Sequence, residues 1–189
     1  VNLDVWKGDS PEPEMRVVAI GSASFVKGTM DTIDMLAGTD LVYHHVGGGS
    51  EEDLAILRNH ANCKEVDFVV EPRLSQEALV SLVKRSLAVV SLARNEPFGL
   101  TPIEAQAAGT PALMVDEGGY QHTVKDGVSG RLLPRGDWST WHAALEEAKD
   151  SDNRTAWSEA GQAQIAEMGL RPEDQAETLR KIVSKLRDQ

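Results

Sequence analysis

"LAVVSLARNEPFGLTPIEAQAAGTPALMVD", Leu87 to Asp116, decides the fold. It opens on an apolar run too short for a helix and rich in β-branched residues, which predicts a buried strand. "GLTPIEAQAAG" then reads as a helix. Pro102 suits a first turn, where its missing N–H costs little, and Gly109 supplies a stop. "TPALMVD" returns to an apolar run. Two strands that are apolar throughout, joined by a helix, form a parallel βαβ unit covered on both faces.

The same alternation extends in both directions. "MRVVAIG", "DLVYHHV" and "VDFVVEP" read as strands. "KGTMDTIDMLAG" reads as a helix that stops at Gly38. Ser50 is expected to cap a second helix, with Asp53 completing an imperfect capping box, and Ser75 a third. After Asp116 come a short helix or turn in "GYQHTVKDG", a short strand in "GRLLP" and three helical stretches ending in "AETLRKIVSKL". With right-handed crossovers this predicts a doubly wound, Rossmann-like α/β sheet with a helical C-terminus. The expected organisation is a linker over residues 1–14, the α/β domain over 15–150 and terminal helices over 151–189.

In such a sheet the ligand crevice lies beyond the carboxyl ends of the strands. Four unusual loops fall there: Gly21 to Gly28, Gly47-Gly48-Gly49, Glu71-Pro72-Arg73 and Asn95 to Gly99. Pro97 disfavours helix at Glu96, which places that acid on an extended loop. Glu104 falls in the first two turns of the following helix. Between the two acids lies the helix start, whose free N–H groups and positive dipole end suit an anion. A ligand with a central diphosphate and hydroxyl groups at both ends fits this layout, as a sugar nucleotide does. The plainer alternative makes Glu104 an ordinary acid complementing the dipole and Glu96 a solvated loop residue.

The bulk numbers exclude other classes. Among 189 residues the net charge is −11, which argues against a nucleic-acid surface. No run is long and apolar enough for a membrane span. Cys63 is the sole cysteine, so neither a disulfide within the chain nor a cysteine zinc site is expected. A reducing, cytoplasmic setting is the expectation, with no metal. The five histidines show no paired ligand spacing. His44 and His45 read as structural, His60 and His142 as helix-surface residues, and His122 lies beside the crevice. Trp138, Trp141 and Trp157 are expected to pack the terminal helices, and Glu146-Glu147 to form a solvated face.

"EPFGLTPIEAQAAGTPAL" followed by "GGYQHTVKDGVSGRLL" resembles the carboxyl-terminal half of the family-4 retaining glycosyltransferases, which have the two-domain GT-B fold and an E-x7-E signature. The resemblance runs from Met15 to Leu133, and "VNLDVW" is similar to the family's inter-domain linker. It implies that a nucleoside-diphosphate sugar (UDP, GDP or ADP) is the donor. Glu96 would accept from donor-sugar hydroxyls, and Lys27 would neutralise the diphosphate; these two are the implied catalytic residues. Backbone N–H groups around Phe98, Gly99, Leu100 and Thr101 would hold the distal phosphate. Glu104 would bind the ribose, and the backbone near Arg73 the base. On this basis loss of Glu96 leaves affinity for a free diphosphate nearly unchanged. A sugar or glycan acceptor would sit on an amino-terminal half or a partner chain.

The sequence departs from that pattern at three positions. Ser22 stands where the family usually has an Arg that pairs with the Lys on the diphosphate, leaving a hydroxyl without charge. Glu71 stands where Gly is common, and His122 where Glu is common. The departure at Ser22 keeps open a regulatory module with a decayed donor site. A related sugar-nucleotide epimerase is the other alternative.

Overall fold

A computed structural model of the chain describes residues 3–6, 11–170 and 172–187. Six parallel strands form one sheet in the order β3-β2-β1-β4-β5-β6. They are β1 (Glu14–Ile20), β2 (Val42–Val46), β3 (Phe68–Glu71), β4 (Ser86–Ser91), β5 (Ala112–Val115) and β6 (Arg131–Leu133). The order reverses between β1 and β4, which creates the topological switch point of a doubly wound sheet. The expected strands, and the α/β class, are all present. Residues 7–10 of the expected linker lie outside the described residues. Before them Leu3–Trp6 forms a short 3-10 turn whose Trp6 is buried in the core.

Five helices connect the strands: α1 (Thr29–Leu36), α2 (Glu51–Cys63), α3 (Gln76–Lys84), α4 (Leu100–Ala108) and α5 (Tyr120–Thr123). Local chemistry fixes their ends. The Ser50 hydroxyl accepts from the Asp53 N–H at 3.1 Å and donates to the Asp53 carboxylate at 2.7 Å, completing the expected cap of α2. The Ser75 hydroxyl caps α3 through the Ala78 N–H at 3.2 Å. Gly109 ends α4 in the left-handed region with φ 75°, which an L side chain adopts only with strain.

The core is the sheet itself. Val17, Val18, Val89, Val90, Leu113 and Met114 are fully buried. α1 packs on α2 and α6, while α3 packs on α4 and α4 on α7, so helices cover both faces. Here α6 is Trp138–Lys149 and α7 is Ser151–Met168; α8, Pro172–Arg187, completes the chain. Trp141 and Trp157 are buried as expected, and the Trp141 indole donates to the Pro134 carbonyl at 3.0 Å. Glu147 departs from the expected solvated face, because the Arg131 guanidinium pairs with it. His60 and His142 are also more engaged than surface residues. His60 pairs with Asp34 at 2.9 Å, and His142 donates to the Met35 carbonyl at 2.6 Å, so both hold α1.

Candidate functional site

The two loops that flank the switch point meet. Lys27 follows β1 and Glu96 follows β4, and the Lys27 Nζ lies 3.0 Å from the Glu96 Oε2. Sixty-nine positions separate them in sequence. They meet because β1 and β4 are neighbours in the sheet.

Glu96 is held from behind. Its carbonyl accepts from the Gly119 N–H at 2.7 Å. Asn95 before it takes a left-handed φ of 54°, a region that Asn tolerates better than most residues. Gly119 has no room for a side chain, since a Cβ there would fall 2.5 Å from the Phe98 backbone. The "GG" after β5 therefore acts as a close-packed backing for the E-P-F-G loop. Tyr120 reinforces it: its hydroxyl meets that of Ser91 at 2.6 Å, and burial pushes its pKa up to about 12.

The helix start lies where it was expected. α4 begins at Leu100 after Gly99, with no side chain capping its first N–H groups. Phe98 and Leu100 are exposed, and Thr101 is half-buried. Glu104 is the residue of α4 that stands out electrostatically. It is half-buried, burial alone raises its pKa, and it has no hydrogen-bond or ion-pair partner among the described residues. It lies beyond the first turn of α4, so the dipole gives it little compensation. A carboxylate held this way is short of donors.

The other loops are stitched to one another. The Gly47 and Gly48 N–H groups both donate to the Glu71 carbonyl at 3.0 Å, and the Ala23 N–H donates to the Gly48 carbonyl at 2.6 Å. Gly47 cannot carry a side chain, because a Cβ would lie 2.2 Å from the Gly21 oxygen. The glycine run is thus a close-approach device as well as a turn. Ser22 and Arg73 are exposed on these loops, and no ion pair engages Arg73 among the described residues. His45 is buried beneath them. Its Nε2–H donates to the Gly21 carbonyl at 2.8 Å, and its Nδ1 accepts from the Tyr43 hydroxyl at 3.0 Å. Burial lowers its pKa, so the ring is a neutral structural prop.

Sequence reasoning missed a four-residue network that ties these loops down. Asp31 on α1 pairs with Arg94 at 2.7 Å and with Arg135 at 2.5 Å, and Arg135 also grips Glu117 at 2.8 Å and the Leu92 carbonyl at 2.9 Å. The Arg94 guanidinium covers the exposed Phe25 ring at 4.7 Å. No spacing signal joins residues 31, 94, 117 and 135; only the fold brings them together. His44 likewise gains an unforeseen partner, the carboxylate of Glu71 at 2.9 Å. His122 is exposed on α5. Among the described residues, no three His, Cys, Asp or Glu side chains are grouped to hold a metal ion. No helix among the described residues is long and apolar enough to cross a membrane.

The arrangement offers a cation beside a carboxylate, an uncapped helix start and a donor-starved acid, all on loops at the carboxyl edge of the sheet. Known proteins resemble the chain in sequence and in fold. The chain is 32% identical over 144 residues to a D-inositol 3-phosphate glycosyltransferase of Corynebacterium aurimucosum, which covers 76% of this chain and 29% of that protein. It is 36% identical over 126 residues to one from Thermobispora bispora, again covering 29% of the relative. The chain thus spans under a third of the length of these curated relatives. Among solved structures, sucrose-phosphate synthase of Thermosynechococcus elongatus superposes with a TM-score of 0.84 at 22% identity, over 98% of this chain and 51% of that one. Anabaena HepE, crystallised with UDP, superposes with a TM-score of 0.86 at 17% identity, over 97% and 56%. These likenesses establish the Rossmann-like half of a GT-B fold. Residues 2–164 match the family described as glycosyl transferases group 1, and the chain belongs to that family.

Proposed function

We propose that this chain is the donor-binding, carboxyl-terminal half of a retaining glycosyltransferase of the family-4 type. It would bind a nucleoside-diphosphate sugar for transfer to an acceptor held by an amino-terminal half or a partner chain. The observation that carries this reading is the meeting of Lys27 and Glu96 at 3.0 Å across the switch point. A diphosphate lying over the α4 start would find Lys27 and free N–H groups, an arrangement that stabilises charge on a departing phosphate. Glu96 would face the sugar hydroxyls. Glu104, lacking donors of its own, would receive the ribose hydroxyls, and the backbone near Arg73 would meet the base. Ser22 would add a neutral hydrogen bond. UDP is the favoured nucleotide, since Anabaena HepE was crystallised with UDP and with UDP-glucose.

Calorimetric titration with UDP-, GDP- and ADP-sugars tests the proposal. Saturable binding of one of them, weakened in Lys27→Ala, supports it. Absence of binding to any of them refutes it. The exposed Ser22 in place of a cation favours a second reading, a nucleotide-sugar-binding module that does not transfer. Donor binding that persists without turnover when the acceptor half is supplied would select that reading.

A further inference from the structure

The Lys27–Glu96 contact has a consequence for which ligand the crevice retains, given the donor-binding reading above. Glu96 has little freedom. Its carbonyl is fixed by Gly119, and Gly118 packs so close that a Cβ there would lie 2.7 Å from that oxygen. Its side chain is only 19% exposed and is aimed at Lys27. Lys27 lies at the end of its loop, with its side chain 40% exposed. The ammonium that the diphosphate requires is therefore engaged by the Glu96 carboxylate. Exposed ion pairs are weak, so a phosphate can displace the carboxylate. The displaced Glu96 then faces an anion with no cation of its own, and like charges at short range repel.

The identity of the ligand decides how that is resolved. An intact sugar nucleotide brings hydroxyl donors that Glu96 can accept from, replacing the lost ammonium. A nucleoside diphosphate without its sugar brings none. We propose that the Lys27–Glu96 pair is a latch that competes with the diphosphate, so that the crevice holds the sugar nucleotide in preference to the nucleoside diphosphate left after transfer. Glu96 reclaims Lys27 once the sugar has gone, and the spent nucleotide is released. This revises the expectation that Glu96 is indifferent to the free diphosphate.

Calorimetry on the wild type, Glu96→Gln, Lys27→Ala and the double variant tests the latch, using UDP, GDP and ADP with their glucose conjugates as probes. Neither side chain belongs to the core, and melting curves confirm that each variant folds. In Glu96→Gln the free diphosphate is expected to bind about fivefold tighter, the upper range for release of an exposed ion pair. The conjugate gains nothing, so the preference for it shrinks. The gain vanishes in the Lys27→Ala background and diminishes as salt is added. Unchanged or weaker diphosphate binding by Glu96→Gln, in a protein whose wild type binds both ligands, overturns the latch and leaves the donor-binding reading standing. An equal gain without Lys27 also overturns it. If neither the wild type nor Glu96→Gln binds any probe, both proposals fall.

Discussion

At the scale of single residues, Glu104 and His45 make opposite demands on pH. Burial raises the pKa of Glu104. Its charged form is penalised in the folded protein, and that penalty is absent below the ordinary value of 4.5 and complete above the raised one. Glu104→Gln is therefore expected to raise the melting temperature by a few degrees at pH 7 and not at pH 4. It should weaken a nucleoside diphosphate and its sugar conjugate equally. A dipole-complementing acid would give the reverse, a loss of about 0.3–1 kcal/mol on neutralisation with both affinities intact. His45 titrates below its ordinary 6.5. The unfolded chain takes up its proton first, so His45 costs stability as pH falls from 6.5 toward the lowered value, and nothing above 6.5. His45→Gln should remove that slope in pH-dependent melting. The placement of Glu96 on a loop and Glu104 on α4 was legible in "NEPFGLTPIE" because Pro97, Gly99 and Pro102 dictate backbone shape locally. The support that His45 gives Gly21 was not legible, because it depends on how two strands are registered.

At the scale of elements, the strands and helices were readable from period and caps, while the joints between loops were not. The sequence marks Gly47-Gly48-Gly49 as an unusual loop, but only the fold shows that the Gly21 oxygen occupies the space of a Gly47 side chain. Gly47→Ala adds that clash to a φ of 134°, a conformation restricted to glycine. It is expected to destabilise the protein by about 1–3 kcal/mol in denaturant titrations and to disturb diphosphate binding. Ser22→Arg tests the same edge from the opposite direction. A charge-assisted hydrogen bond to the diphosphate contributes about 1.5–3 kcal/mol, so binding should tighten about tenfold or more, and less so in high salt. No change would mean that position 22 faces away from the phosphates. The Asp31–Arg94–Arg135–Glu117 network was hidden for a simple reason: charges separated by this much sequence look like solvated surface until the loops converge.

At the scale of the whole molecule, α8 is conspicuous. Leu179, Ile182, Val183 and Leu186 recur at helical spacing and are all exposed, with Leu186 at 67%. The stripe runs along "AETLRKIVSKL". Replacing Leu179 and Leu186 by Glu should leave the melting temperature of this chain within about a degree, since surface changes rarely exceed about 0.5 kcal/mol. It should weaken any complex with an amino-terminal half, as measured by co-purification of the two halves.

The pairing of β1 with β4 also sets the order in which the protein is built. Val18 lies beside Val89, so the central strands of the sheet join segments about 70 residues apart. Closing so long a loop has an entropic cost that local helices avoid, which makes this a late and slow event in folding. Lys27 and Glu96 lie just past those two strands, and neither can find the other until the strands dock. On the donor-binding proposal, competence to bind nucleotide therefore waits for this docking, well after helical content has appeared. In a refolding experiment, capture of a fluorescent nucleotide should lag the far-ultraviolet signal. A ribosome that has not yet released the chain through β4 would carry a half-made fold blind to its ligand.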